Sequence, residues 1–244
     1  MKLPRAPAVK KFVAARLSPE GVLGLHLTIG VLLMLCAAWL FGSIAEDVVN
    51  AEALTQLDLR LARWFHVHAT DSVTRVLLVV THGHSVAGVV AMGALLGLYF
   101  YIKQARYWLL TLVIVLPGGM LLNVLLKYAF QRARPTFDHP LLTLTTYSFP
   151  SGHTAAATLL YGTLAAYLTC VTHSWGARAA VVSGAALMVA LVGISRMYLG
   201  VHYLSDVLAA VAASGTWLII CITASSTLRR RRAGRANQSA RSIP

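Results

Sequence analysis

The chain has 244 residues, of which 57% are hydrophobic and 12% are charged, about half the charged fraction of a typical soluble domain. This composition argues against a soluble protein, and the apolar residues form runs of about 20, the length of a bilayer-spanning helix. The formal net charge of +13 includes basic clusters before the first apolar run and after the last. Membrane topology explains these clusters better than nucleic-acid binding, because no basic surface interleaved with aromatic residues is visible.

Six apolar runs predict an all-α protein, a bundle of six transmembrane helices. The spans are predicted at 22–44, 76–101, 107–129, 152–172, 178–196 and 201–225. Residues 22–226 then form one membrane domain between a basic N-terminal segment, 1–21, and a basic tail, 227–244. The segment from Ser43 to Ala45 resembles a signal-peptide cleavage site, but the run before it is too long for a typical signal peptide, so we expect an uncleaved first span.

The loop between the first two predicted spans, residues 45–75, contains a helical pattern of its own. Leu54, Leu57, Leu61 and Trp64 recur at helical spacing, with charged residues off that stripe. The pattern predicts an amphipathic helix that lies at the membrane interface. Such a helix could be a simple connection or a gate for a substrate.

The last two spans must be separated within one long apolar stretch, from Ala179 to Ser226. Arg196, His202 and Asp206 interrupt this stretch, and a charge at the bilayer centre is costly, so we expect the chain to turn there. Six spans with both termini in the cytoplasm place most of the Lys and Arg residues inside, as the positive-inside rule requires. The basic tail could also contact anionic lipid.

Three polar clusters break the apolar pattern, and span counting places all of them on the outer side of the membrane. They are Lys127 to Pro135 (KYAFQRARP), Pro150 to His153 (PSGH) and Ser195 to Asp206 (SRMYLGVHYLSD). The clusters share a chemistry suited to an anion. Lys127, Arg134 and Arg196 are cations, and arginine can bind an anion through two parallel hydrogen bonds.

The remaining polar residues complete a phosphate-like site. Ser151 and Gly152 begin a predicted helix, whose free N–H groups and dipole favour an anion. His202 and Asp206 are four residues apart on a predicted helix, so the carboxylate can bind one imidazole nitrogen and leave the other free to attack. His153 can protonate a leaving oxygen. Each residue alone also has an ordinary structural explanation: a snorkelling cation, a helix cap or a structural hydrogen bond.

These motifs together resemble the type 2 phosphatidic acid phosphatase (PAP2) family, which has the vanadium haloperoxidases as soluble relatives. The resemblance implies a PAP2/haloperoxidase-like helical core in which His202 is a nucleophile that forms a phosphohistidine. It implies that Asp206 orients His202 and that His153 protonates the leaving group. The phosphoryl oxygens would be held by Lys127, Arg134, Ser151, Gly152 and Arg196. It also implies catalysis without a metal or another cofactor, since three cations and backbone amides can stabilise the charge.

Other polar residues near these motifs are harder to interpret. His82 and His84 fall in the outer half of the second span, where they could reach a head group but are better explained as packing residues. Arg132 and Asp138 could select between head groups.

The predicted function is hydrolysis of a phosphorylated lipid at the outer face of a bacterial inner membrane. Candidate substrates are polyprenyl diphosphate, our first choice, phosphatidylglycerophosphate, phosphatidic acid and lipid A phosphates. A lipid phosphotransferase with the same phosphohistidine, a non-catalytic carrier of lipid phosphates and a haloperoxidase are the alternatives. The sequence does not indicate an oligomeric state.

Overall fold

The computed structural model describes residues 14, 16, 18 and 24–241, with side chains as far as Arg232. Eight α-helices and no strand occur in this part of the chain: α1 (Leu25–Asn50), α2 (Ala53–Val67), α3 (Asp71–Gly83), α4 (Val86–Ile102), α5 (Arg106–Phe130), α6 (Gly152–Val171), α7 (Trp175–Tyr198) and α8 (Leu204–Arg241). The predicted all-α class is confirmed. Almost all of the predicted basic segment 1–21 lies outside the described residues.

Five helices, α1, α5, α6, α7 and α8, are long and apolar enough to cross a membrane. The helices α3 and α4 are long and apolar enough only as a pair, bent by 55° at the break between them, and they make a sixth span if the pair crosses as one unit. We predicted a single span over residues 76–101, and the break at His84 and Ser85 was not predicted. Its physical origin is local: α3 ends at Gly83, and the Ser85 hydroxyl accepts a hydrogen bond from Gly88 N at 3.4 Å, which starts a new helix.

Helices α6 and α8 form the centre of the bundle. Helix α6 contacts α5, α7 and α8, while α1 packs along α8. The contact between α1 and α8 is antiparallel, because His26 lies 3.3 Å from the Thr227 hydroxyl and Ala45 packs in the same cluster as Ala209. The start of α1 and the basic part of α8 therefore lie at one end of the bundle.

The opposite end, which we call the motif end, contains the last turn of α5, the first turn of α6 and the connection between α7 and α8. All three predicted polar clusters lie there. The predicted interfacial helix is present as α2 and packs against α1, α7 and α8. One of its faces buries Asp58 and Ala62, whereas Leu57 and Trp64 are exposed.

Helix α8 extends beyond the predicted span 201–225 and runs through the arginine cluster Arg229–Arg232 as far as Arg241. The predicted tail thus begins as a continuation of the last helix. Arginine is a good helix former, so the charges end the apolar run without ending the helix.

Candidate active site

The pair His202–Asp206 is buried at the motif end. The Nδ1 atom of His202 lies 3.2 Å from Asp206 Oδ2, and the two residues are 2% and 0% exposed. We predicted both on one helix, but His202 precedes α8 in a turn, and Asp206 lies in the first turn of that helix. Gly200, with φ +69°, makes this turn possible in a conformation that side chains disfavour.

The environment of His202 favours its neutral form. Burial lowers the pKa of the imidazole below its ordinary value, and the cations of Arg134 and Lys127 lower it further, while the Asp206 carboxylate opposes them. A hydrogen bond from Nδ1–H to Asp206 leaves the lone pair on Nε2. Arg134 Nη1 lies 3.2 Å from this Nε2 atom, so a cation stands beside the nitrogen that is predicted to attack.

Two of the predicted phosphate-binding cations donate to the loop between α5 and α6. Lys127 Nζ donates to Tyr147 O at 2.6 Å. Arg134 donates to Thr146 O at 2.6 Å, to Tyr147 O at 3.0 Å and to Val201 O at 2.6 Å. The residue before a proline avoids helical geometry, and Arg134, which precedes Pro135, lies in this loop outside any helix. Lys127 therefore ties the loop to the end of α5, and Arg134 ties it to the turn that carries His202.

Arg196, the third predicted cation, is only 1% exposed. It is therefore a buried residue of the core and not a snorkelling side chain. Its Nη1 atom donates to the Thr81 hydroxyl, but Nε and Nη2 are buried and have no hydrogen-bond partner among the described residues. An unsatisfied buried donor is costly, so these two donors are available to a bound water or ligand.

The predicted cluster at the start of α6 is also at the site. Ser151 occupies the N-cap position, and its backbone N–H donates to Asp206 O at 3.0 Å. Its hydroxyl accepts from the Thr154 hydroxyl at 3.0 Å and makes no hydrogen bond to the backbone N–H groups at the start of α6. The first N–H groups of a helix lack acceptors within the helix, so those of α6 are available to an anion.

Gly152 and His153 follow directly in the first turn of α6. A Cβ atom on Gly152 would lie 3.4 Å from Asn123 Oδ1, so the backbone here approaches α5 closely. The imidazole of His153 lies in the neighbourhood of Arg196, His202 and His84. The structure thus gathers all eight predicted site residues, from three separate clusters, at one end of the bundle.

An apolar cavity of about 610 Å³ begins beside these residues. Gly152 and His153 line it together with His84, and its walls are apolar residues of α4, α5 and α6, including Val90, Gly97 and Leu116. Val90 on its wall is 64% exposed, so the cavity is a groove that runs from the polar motif end along the apolar sides of α4, α5 and α6.

Comparison with known proteins identifies the family. The family model described as the PAP2 superfamily matches residues 106–230, just over half of the chain. The chain belongs to this superfamily. This match confirms the resemblance inferred from the motifs, and it covers all eight predicted site residues. Together with the phosphatases named below, it confirms the prediction of a membrane phosphatase.

Individual relatives agree with this assignment. Phosphatidylglycerophosphatase B of Bacillus subtilis (strain 168) is 29% identical over 171 residues, which cover 70% of this chain and 84% of that protein. The crystal structure of a transmembrane PAP2-type phosphatidylglycerolphosphate phosphatase from Bacillus subtilis matches with a TM-score of 0.66 at 26% identity, over 79% of this chain and 93% of that one. Aquifex aeolicus LpxE shares the fold, with a TM-score of 0.55 and 23% identity over 68% and 94% of the two chains.

Several residues at this PAP2 site were not predicted from the sequence. Thr81 holds Arg196, and a threonine inside an apolar run gives no signal of this. Asp58 and Ser205 contact Arg132 behind Asp206, although Arg132 was considered only as a selector of head groups.

The other residues that we considered near the site have different roles. His84 is buried and lies 2.7 Å from the Tyr161 hydroxyl, which fits the packing interpretation, although it also lines the cavity. His82 and Asp138 are exposed.

Proposed function

We propose that this PAP2 protein hydrolyses a lipid phosphate or diphosphate through a phosphohistidine on His202. The observation that carries the proposal is that a buried, Asp206-bound imidazole shares the motif end with two donors of Arg196 that have no partner among the residues described. The first provides a nucleophile and the second a place for phosphoryl oxygens. The apolar cavity that His153 lines adds room for the rest of a lipid.

The reaction follows from these positions in two steps. His202 Nε2 attacks phosphorus and forms an N–P bond, while the bond from phosphorus to the lipid oxygen breaks and His153 donates a proton to that oxygen. Water then attacks the phosphohistidine, His153 accepts a proton from it, and the N–P bond breaks to release inorganic phosphate. Arg134 Nη1 would transfer from Nε2 to a phosphoryl oxygen as the substrate binds.

Charge stabilisation in this reaction would come from the protein itself. Lys127, Arg134 and Arg196, with the first N–H groups of α6, offer the donors that a phosphoryl group needs. We therefore propose a reaction without metal or other cofactor.

The topology of the bundle supports an active site that faces the exterior. The arginine cluster of α8 lies at the end opposite the motif end, together with the start of α1. Positive ends remain in the cytoplasm, so both termini would be cytoplasmic in the inner membrane and His202 would face the periplasm. A lipid could then reach the site laterally.

The name of a relative bears on the choice of substrate. The Bacillus subtilis relative is named for phosphatidylglycerophosphate, which supports this lipid beside polyprenyl diphosphate, our choice from sequence. Phosphatidic acid and lipid A phosphates share the same phosphate chemistry. A lipid acceptor in place of water would make the protein a phosphotransferase, and binding without cleavage would make it a carrier.

Phosphate release by the purified protein in detergent tests the proposal. We expect inorganic phosphate from at least one lipid of this panel, no loss in EDTA, and inhibition by vanadate, which mimics five-coordinate phosphorus. Loss of activity in EDTA that Mg²⁺ restores would contradict catalysis without a metal. Binding of every lipid without turnover would favour the carrier, and transfer of phosphate to a second lipid would favour the phosphotransferase.

Filling the cavity should affect long lipids selectively. Val90 lines the cavity and is 64% exposed in the bundle, so Val90→Trp should narrow the cavity at little packing cost. We expect kcat/KM for a long-chain lipid phosphate to fall roughly 10-fold, since the lost apolar contact is a few methylene groups, while p-nitrophenyl phosphate is hydrolysed as before. Leu95→Trp is the matched control, because Leu95 lies on the same helix, is 68% exposed and does not line the cavity. Equal effects of both variants would contradict a lipid-binding cavity.

A further inference from the structure

Both carboxylate oxygens of Asp206 are occupied. Oδ2 faces His202 Nδ1 and also accepts from Tyr203 N at 2.9 Å. Oδ1 accepts from Arg132 Nη1 at 2.7 Å. The group that orients the predicted nucleophile is thus itself fixed from behind by a cation outside the set of predicted site residues.

Arg132 is held in turn by a second carboxylate. Its Nη2 atom donates to Asp58 Oδ2 at 2.8 Å, while Nη1 also donates to the Ser205 hydroxyl at 2.6 Å. The guanidinium stacks over the Tyr203 ring at 4.3 Å. A planar fork with several fixed donors can bridge two carboxylates in this way, whereas the single ammonium of lysine cannot reproduce the geometry.

Asp58 joins this group to the interfacial helix α2. It is 1% exposed, and its Oδ1 accepts from Ser205 N at 3.0 Å, while its Oδ2 also accepts from the Ser205 hydroxyl. Ser205 lies in the first turn of α8, where backbone N–H groups have no acceptor within the helix. Asp58 therefore caps the helix that carries Asp206, with the sign of charge that the helix N-terminus favours.

Stability alone is a weak explanation for this arrangement. Burying ion pairs costs desolvation, and apolar packing at the same place is often equally stabilising. Here two buried carboxylates share one guanidinium directly behind the His202–Asp206 pair.

We propose that Asp58 and Arg132 are a positioning pair for His202, in which the interfacial helix α2 fixes the Asp206 carboxylate through the Arg132 guanidinium. The proposal rests on the proposed function of His202. Neither residue contacts the reacting atoms, so both act through Asp206. The helix α2, predicted as a connection or a gate, would then be part of the catalytic structure.

The pair should also influence the electrostatic potential at His202 and therefore its pKa. The groups that face the imidazole are Asp206, Arg134, Lys127 and His153, with Arg132 and Asp58 behind Asp206. The Arg132 cation offsets the Asp206 carboxylate, and Asp58 offsets part of Arg132. Removing Arg132 should therefore stabilise the imidazolium and raise the pKa of His202, whereas removing the charge of Asp58 should lower it.

Kinetics of Asp58→Asn and Arg132→Gln across pH test the pair. We expect kcat to fall roughly 10-fold in Asp58→Asn and roughly 100-fold in Arg132→Gln, with KM nearly unchanged. Losses of this size are found when a residue that orients a metal-binding side chain is removed. The acid limb of kcat/KM should move to higher pH in Arg132→Gln and to lower pH in Asp58→Asn, because this limb reports groups of the free enzyme. If the pair only stabilises the fold, both variants should lower the melting temperature, and the acid limb of kcat/KM should not shift in opposite directions.

Controls and a second variant keep the test decisive. Arg60→Gln and Glu52→Gln change exposed charges at the same helix, and kcat should stay within about twofold, as is usual for surface substitutions. If Asp58→Asn does not fold, Arg132→Lys keeps the charge but not the bridge, and its kcat should still fall. Wild-type kcat in Arg132→Lys, or limbs that move in the same direction, would overturn the pair. An inactive wild-type protein would instead contradict the proposed function, and the pair with it.

Discussion

Replacing His202 with alanine should lower phosphate release by about 10⁴-fold or more while the protein still inserts and folds, as loss of a nucleophile does in other enzymes. The imidazole is buried, bonded to Asp206 and held in the turn before α8, and a methyl group there can form no bond to phosphorus. The variant loses one side chain in a turn, so its melting temperature in detergent should change far less than its activity. Phosphate release from the lipid that the wild type hydrolyses fastest is the measurement.

A covalent label separates a nucleophile from a residue that only binds phosphate. Wild-type protein mixed with ³²P-labelled substrate and quenched in alkali should retain an acid-labile label, and His202→Ala should retain none. His139→Ala is the matched control, because His139 is exposed in the loop between α5 and α6. Turnover by His202→Ala at the wild-type rate would remove the assignment of the nucleophile, and a retained label would place the covalent bond on another residue.

The bundle could be predicted from sequence because the bilayer imposes a local signal. A run of about 20 apolar residues is needed to cross it, and charges inside such a run mark a turn, as Arg196 and His202 did between α7 and α8. The amphipathic helix α2 was predictable for a similar reason, from the spacing of Leu57, Leu61 and their neighbours.

The break between α3 and α4 shows where this signal stops. Apolar residues continue on both sides of His84, so hydropathy alone predicts one straight helix. The bend depends on a cap formed by the Ser85 hydroxyl and on His84 finding a partner in Tyr161. A serine in an apolar run has too many other roles for such a cap to be inferred.

The motifs indicated the chemistry of the candidate site, but the partners of each group depend on the fold. The bridge from Asp58 through Arg132 to Asp206 joins positions 74 residues apart on either side of the arginine. No local pattern encodes such a pairing. The same is true of Thr81, which contacts Arg196 across 115 residues, while Nε and Nη2 of that arginine find no partner in the described part of the chain.

The second large effect that we expect is a loss of activity in Arg196→Lys, because the substitution removes those two donors. Lysine keeps the charge but cannot present Nε and Nη2 together while a third nitrogen stays bonded to Thr81. Losing preorganised donors at a developing charge costs on the order of 100-fold in turnover, so we expect kcat/KM to fall by at least that factor. Arg178→Lys is the matched control: the same exchange on the same helix, at the opposite end, where Arg178 donates to Thr172 O.

Inhibition by vanadate distinguishes loss of an anion ligand from a general disturbance of the bundle. If these donors of Arg196 bind phosphoryl oxygens, Arg196→Lys should weaken vanadate inhibition and turnover together. Thr81→Val should weaken both to a smaller extent, because it removes only the group that orients the guanidinium. Unchanged vanadate inhibition in Arg196→Lys would mean that the buried donors do not face the anion. The two buried nitrogens would then destabilise the fold and contribute nothing to catalysis. Such a role would not explain why an arginine that is 1% exposed is kept at the end of a membrane helix.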